Sequence, residues 1–273
     1  LITGCSSGIG RDLAIRMTGA GYSVIATARN PETLDDLDCA MKLRLDVTDE
    51  YSVQMAVAAI AAQFDTIDVL VNSAGFAACG AVEELPDEAW RSMFEVNVLG
   101  AVRVLRAVAP IMRRERRGTI VNISSLAGMM SMPVNGGYSS TKFALEAISD
   151  AARSELAPFG VNVIVVRPGP IRTHFDATKK ACSGDILGDP SSPYRLLYRR
   201  DNALADSMRD KEPGPEAVSR VVLRALSAEH PKTRYSAGIP LLAELLSRLN
   251  DSLKDRLWSA ALERAIVPQE PYS

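Results

Sequence analysis

Tyr138 and Lys142 stand four residues apart in a stretch where Phe143, Ala147 and Ala151 recur at helical spacing. On a helix that separation puts both side chains on one face, so a phenol and an ammonium lie side by side. An unperturbed phenol, with a pKa near 10, is a poor base at neutral pH, and bringing it to about 7 takes roughly 4 kcal/mol. An ammonium about 5 Å away supplies roughly 3 kcal/mol of this at an effective dielectric of about 20. A further positive charge beside the phenol would have to supply the rest. Such a pair can carry a proton to and from a substrate hydroxyl. The spacing alone is common among surface neighbours, so its meaning depends on what surrounds it.

A second constellation opens the chain. Gly4, Gly8 and Gly10 punctuate the run Thr3-Gly4-Cys5-Ser6-Ser7-Gly8-Ile9-Gly10, and the period of Leu13, Ile15, Met17 and Ala20 beyond them is helical. Glycines between a strand and a helix allow a sharp turn and let a pyrophosphate approach the backbone without meeting a Cβ atom. The exposed N–H groups and the positive end of the helix dipole then hold the anion.

Both constellations need a frame. Apolar runs rich in Val and Ile predict strands over residues 23–28, 43–46, 69–72, 119–124 and 161–167, with 1–3 as the tail of an earlier one. These runs are nearly continuous rather than alternating, as expected of a parallel sheet covered on both faces by crossover helices. Val53, Val57, Ile60 and Phe64 lie along one face of one such helix. The expected fold is a single-domain α/β doubly wound parallel sheet over residues 1–273. Residues 1–173 would be the cofactor-binding and catalytic core, and 174–215 a long substrate-binding loop. Residues 216–273 would hold a helix over 215–227, a short strand over 234–236 and two terminal helices. The leucine stripes of those last helices, beginning at Leu242 and Leu253, read as core or dimer contacts ahead of a membrane-binding face.

Further motifs follow in order: Asp46-Val47, Asn72-Ser73-Ala74-Gly75, Asn97, Ser124-Ser125, Tyr138-Ser139-Ser140-Thr141-Lys142 and Pro168-Gly169-Pro170-Ile171-Arg172-Thr173. Together with the three-residue gap between Gly4 and Gly8, the set resembles the short-chain dehydrogenase/reductase family, from Leu1 to about Thr173. One departure is Ser73, where the family usually carries a second asparagine. The resemblance implies a Rossmann fold and hydride transfer between a nicotinamide cofactor and an alcohol or carbonyl, with no metal. It makes Tyr138 the acid/base, Ser125 the residue that orients the substrate oxygen, with Ser124 as its competitor, and Asn97 the holder of a water linked to Lys142. It also implies cofactor contacts from Gly4, Ser6, Ser7, Gly8, Ile9, Gly10, Arg29, Asp46, Val47, Asn72, Ala74, Gly75, Tyr138, Lys142, Pro168, Gly169, Ile171 and Thr173. Asp46 would bond the adenine amino group, its alternative being a helix cap.

At the end of the second predicted strand Ala28 stands where an acidic residue would bind a ribose 2′-hydroxyl, and Arg29 follows with a guanidinium suited to a phosphate. NADP(H) is therefore favoured and NAD(H) is the alternative. The glycine turn, Thr27-Ala28-Arg29 and Thr233-Arg234-Tyr235-Ser236 also resemble hydroxysteroid and retinol dehydrogenases, which implies a lipophilic alcohol or ketone. Phe175, Ile186, Leu187, Tyr194, Leu196, Leu197 and Tyr198 are candidates for its pocket, and His174 for a contact. A 3-oxoacyl-thioester reductase and a non-catalytic NADP(H)-binding regulator are the alternatives. With 31 Lys and Arg against 33 Asp and Glu, the chain has no cationic field for nucleic acid. Arg113, Arg114, Arg116 and Arg117 read as complements to a helix dipole. Four scattered cysteines without metal spacing, and no apolar run of transmembrane length, fit a reduced cytoplasmic setting. A preceding anchor or targeting segment stays open because the chain starts at Leu1. The resemblance also implies a homodimer or homotetramer.

Overall fold

A computed structural model describes residues 1–173, 175–247 and 249–266. Among the described residues six strands are parallel: β1 (Ile25–Ala28), β2 (Met41–Arg44), β3 (Val69–Asn72), β4 (Gly118–Ile123), β5 (Val161–Pro168) and β6 (Arg234–Ala237). β1 pairs with β2, and β3 to β6 pair in sequence order. The segment expected as a strand tail at 1–3 is the seam between these two groups, because Ile2 bridges both Ala26 and Val71. The sheet is thus wound outward in both directions from the N-terminal segment, which leaves a crevice at the carboxyl ends of the strands beside that seam.

Successive strand residues face opposite sides. Ile164 and Val166 on β5 join a core with Leu13 and Met17 of α1 (Gly8–Gly19) and Val218 and Val222 of α8 (Glu216–Leu226). Val161 and Val163 join a second core with Val53 and Ile60 of α2 (Glu50–Ala61) and Val104 and Val108 of α4 (Ala101–Glu115). Both faces are dry, which is why the strands read as apolar runs. Phe64 lies past the end of α2 yet packs on the same core.

Two helices frame the crevice: α3 (Asp87–Phe94), which runs through a π-helical turn at Glu95–Gly100 into α4, and α5 (Gly136–Leu156). The segment expected as an irregular loop is mostly helical, with α6 (Phe175–Cys182) and α7 (Arg195–Met208). Their apolar positions are sparse, so periodicity over a long window is weak, but Tyr194, Leu197 and Tyr198 at i, i+3 and i+4 pack as one stripe with Val134 and Ala81. The two terminal helices are present as α9 (Leu241–Ser247) and α10 (Asp251–Ile266). Their leucines are not core: Leu242 is 68% exposed and Leu257 is 46% exposed.

Candidate active site

The glycine turn crosses the sheet seam under three separate backbone demands. Gly4 and Gly8 have φ of +75° and +59°, where a Cβ is strained. A Cβ on Gly10 would lie 2.4 Å from the Gly4 carbonyl oxygen. Thr3 fixes the neighbouring turn by accepting from Ser73 N at 3.0 Å and Ala74 N at 3.1 Å. Because backbone N–H groups make these bonds, serine at position 73 leaves this part of the turn undisturbed. Ser7 caps α1 in extended backbone without a side-chain hydrogen bond, and the first turn has no acidic residue. Those features fit a pyrophosphate at the helix start, since its N–H groups are not taken by the cap side chain.

The turn forms one end of a cleft of ≈ 540 Å³. Its walls include Ser6, Ser7, Ile9, Arg29, Asp46, Val47, Ala74 and Gly75 at that end. Ser125, Tyr138, Lys142, Pro168, Gly169, Ile171 and Thr173 also line it, Thr173 close to Gly8. Asp46 accepts from Thr48 N and Oγ1 at 3.0 and 2.8 Å, while Asp49, not Asp46, caps α2. Against a burial cost that raises it, these donors and the nearby Arg29 and Arg44 hold the Asp46 carboxyl below its usual range. Arg44 stands opposite Ala28 in the β1–β2 pairing, a second cation that reading along the chain did not single out.

Two expected site residues do not line the cleft. Asn72 is turned into the structure, where its amide donates to Asn122 Oδ1 at 2.9 Å, and Asn122 donates to Ser149 Oγ at 2.8 Å. Asn97 lies behind Gly75, accepting from Phe76 N at 3.0 Å and donating to Phe76 O and Thr141 Oγ1 at 2.8 and 3.1 Å. A Cβ on Gly75 would come within 3.1 Å of Asn97 Oδ1 and 3.7 Å of Lys142 Nζ, so the amide and the ammonium flank the same glycine. The π-helical turn holds Asn97 there, at a position a regular helix would aim elsewhere.

Lys142 is buried, donates to Ile123 O at 2.9 Å, and sits 5.6 Å from the centroid of the Tyr138 ring. The two serines are resolved by the pleat. Ser124 is buried with its hydroxyl against Gly128 and toward Glu146, whereas Ser125 lines the cleft with Tyr138, its hydroxyl accepting from Ala127 N at 3.1 Å. Burial pushes the Tyr138 phenol up to about 12, and Ser125 only partly offsets the rise. Burial also lowers Lys142 to about 8, with Glu146 pulling it back up. Desolvation is the largest contribution to both shifts.

Met132, Asn135, Phe175, Thr178, Lys179 and Cys182 are further members of the lining. Of the apolar candidates for the substrate pocket, Phe175 alone lines the cleft, its ring 5.6 Å from that of Tyr138. Ile186, Leu187, Tyr194, Leu197 and Tyr198 instead pack with Ala81 and Val134 to anchor the cover. His174 lies outside the described residues.

Comparison with known proteins agrees with this geometry. The family model for short chain dehydrogenase matches residues 1–183. The chain belongs to the short chain dehydrogenase family. It is 32% identical to the 3-ketodihydrosphingosine reductase of Bacteroides thetaiotaomicron, over 96% of this chain and 95% of the relative. It is 35% identical to human 17-beta-hydroxysteroid dehydrogenase type 1, over 92% and 80%. A solved short-chain dehydrogenase from Streptomyces avermitilis superposes with a TM-score of 0.76 at 34% identity, covering 96% of this chain and 93% of that one. A serine dehydrogenase complexed with NADP+ superposes at 0.75 with 26% identity, covering 86% and 92%. As a short chain dehydrogenase, the protein is an oxidoreductase acting on CH–OH groups with a nicotinamide cofactor. Among the described residues no helix is long and apolar enough to cross a membrane.

Proposed function

We propose that this short chain dehydrogenase uses NADP(H) to interconvert a lipophilic alcohol and the corresponding ketone or aldehyde. The observation that carries the reading is the convergence of Ser125, Tyr138 and Lys142 in one cleft with the glycine turn and residues of the helical cover. The bound cofactor supplies the hydride and, when oxidised, a positive ring beside the phenol. Ser125 orients the substrate oxygen and stabilises negative charge that develops on it. Tyr138 donates or accepts the hydroxyl proton. Lys142 holds the cofactor ribose and favours the phenolate, and Asn97 keeps the path behind Gly75 open to a relayed proton.

The preference for NADP(H) rests on the absence of an acidic side chain at Ala28 and on Arg29 and Arg44 around the same strand end. The lipophilic substrate is supported by Phe175 and Met132 in the lining and by relatives named for steroid and ketosphingoid substrates. A thioester substrate would favour a basic entrance, whereas here Lys179 is accompanied by Glu212 in the lining.

Oxidation of NADPH and NADH against steroid, retinoid, long-chain and small carbonyls tests the reading directly. Tyr138→Phe is expected to lower turnover by about a thousandfold, in the range of a lost general acid/base, while NADPH binding followed by fluorescence is retained. Near-native turnover in that variant would remove Tyr138 from the role assigned to it.

A further inference from the structure

We propose that Glu146 is a positioning residue of this site: its buried carboxylate, clamped by Arg167 and Arg234, keeps the ammonium of Lys142 charged and in place beside Tyr138. The inference rests on the proposed roles of Lys142 and Tyr138.

Glu146 follows Lys142 by four residues and Tyr138 by eight, so the three side chains run down one face of α5. It is 7% exposed. Arg167 grips it with both ends of its guanidinium, at 2.8 and 2.7 Å, and Arg234 adds a third bond at 3.0 Å. The cluster joins α5, β5 and β6. Arg167 on β5 immediately precedes Pro168 and Gly169 in the cleft wall, and Arg234 comes from β6. From the end of β4, the Ser124 hydroxyl lies toward the same carboxylate, and its neighbours provide the Ile123 carbonyl that receives Lys142 and the Ser125 hydroxyl that favours the Tyr138 phenolate. Further along α5, Asp150 takes the other end of Arg234 and also pairs with Arg153.

A role confined to holding the fold accounts poorly for this arrangement. A buried ion pair contributes little net stability over apolar residues of the same size. With Asp150 bound to Arg234 and Arg153, three guanidiniums meet two carboxylates, which leaves the cluster with excess positive charge near a lysine that burial already drives toward neutrality. Among the groups facing Lys142, Tyr138, Ser125 and the Asn97 amide bring no negative charge while the phenol is protonated, and Ile123 offers a carbonyl. Glu146 is the carboxylate that opposes the loss of the ammonium proton. Removing its charge exposes Lys142 to Arg167 and Arg234 together. Weakening Arg167 frees more of the carboxylate's field for Lys142, so the two substitutions act with opposite sign.

The test is an NMR titration of ε-13C-labelled lysine in the full chain, with the Lys142 signal assigned by Lys142→Met. The wild-type signal is expected to titrate near pH 8. Glu146→Gln moves the midpoint down by about one pH unit, and Arg167→Met moves it up by a smaller amount. The double variant Glu146→Gln/Arg167→Met lies between them. The alkaline limb of kcat, where the ammonium is lost as pH rises, follows the same order. A midpoint that stays put in Glu146→Gln, or moves the same way in both single variants, overturns the proposal. If Glu146→Gln does not fold, the sign in Arg167→Met decides: an upward move supports the coupling, and no move or a downward one overturns it. The titration requires no turnover. A carbonyl panel without activity alongside the expected shifts would therefore sink the proposed reaction and leave the coupling of Glu146 to Lys142 standing.

Discussion

Beneath and at the floor of the cleft, Thr3, Asn97 and Lys142 are buried and bonded to backbone groups of other segments. The cover, α6 and α7, is tied at a few polar points along residues 79–84. Cys79 N donates to Ser183 Oγ at 2.7 Å, Ala81 N donates to Tyr198 OH at 2.9 Å, and Ser192 Oγ donates to Glu84 Oε1 at 2.7 Å. The difference separates two tasks. Atoms that transfer a proton or cradle a phosphate must be placed to a fraction of an ångström, which buried bonds from several elements achieve. A wall that selects a substrate has to fit a shape, and it can be exchanged without disturbing the floor.

The sharpest way to break the contrast is in the glycine turn. Gly10→Ala would set a Cβ 2.4 Å from a backbone carbonyl, so the start of α1 must move. A displacement near 1 Å is expected to weaken NADPH binding by about a hundredfold. The added atom is also expected to destabilise the fold by about 2 kcal/mol, read as a lower melting temperature. Unchanged binding and melting would mean that the floor is more compliant than its bonds imply. A smaller effect is expected at the edge of the floor. Arg29→Ala removes a guanidinium from the phosphate end and should weaken NADPH by about tenfold, the scale of one charge-assisted hydrogen bond, leaving NADH nearly unaffected. Equal losses for both cofactors, measured by fluorescence titration, would take Arg29 out of cofactor selection.

The floor was also the part legible in the sequence. Its glycines, its apolar strands and the Tyr138–Lys142 spacing each follow from a short-range rule of backbone geometry, and such rules leave marks at fixed intervals. What stayed hidden depended on which way a side chain turns or on its surroundings. Asn72 sits at a strand end, where a shift of one residue exchanges the two faces of the sheet. The charge on Tyr138 and Lys142 depends on burial, and spacing carries no record of it. Glu146 reads as an ordinary helical acid until β5 and β6 bring Arg167 and Arg234 to it. The helical cover was missed because few of its residues face inward. The Tyr194, Leu197 and Tyr198 stripe was the available signal, and its role was anchoring rather than lining the pocket.

The smallest expected effect falls on the cover itself. Tyr198 is 1% exposed, and its hydroxyl accepts from Ala81 N while donating to Glu84. Burial and then the Glu84 contact push its phenol up to about 12, so this donor stays protonated throughout the working range. Tyr198→Phe keeps the ring among Val134 and Leu197 but leaves the Ala81 N–H buried without its partner, at a cost of about 1–2 kcal/mol. If the cover only shapes the substrate wall, that cost should appear as a KM for a bulky ketone raised about fivefold, with kcat and NADPH affinity close to wild type. A matching fall in kcat for a small carbonyl, which needs little of the wall, would show that the ties along residues 79–84 also position the floor. The division between a rigid floor and an exchangeable cover would then have to be redrawn to include Ala81 and Glu84 with Tyr138.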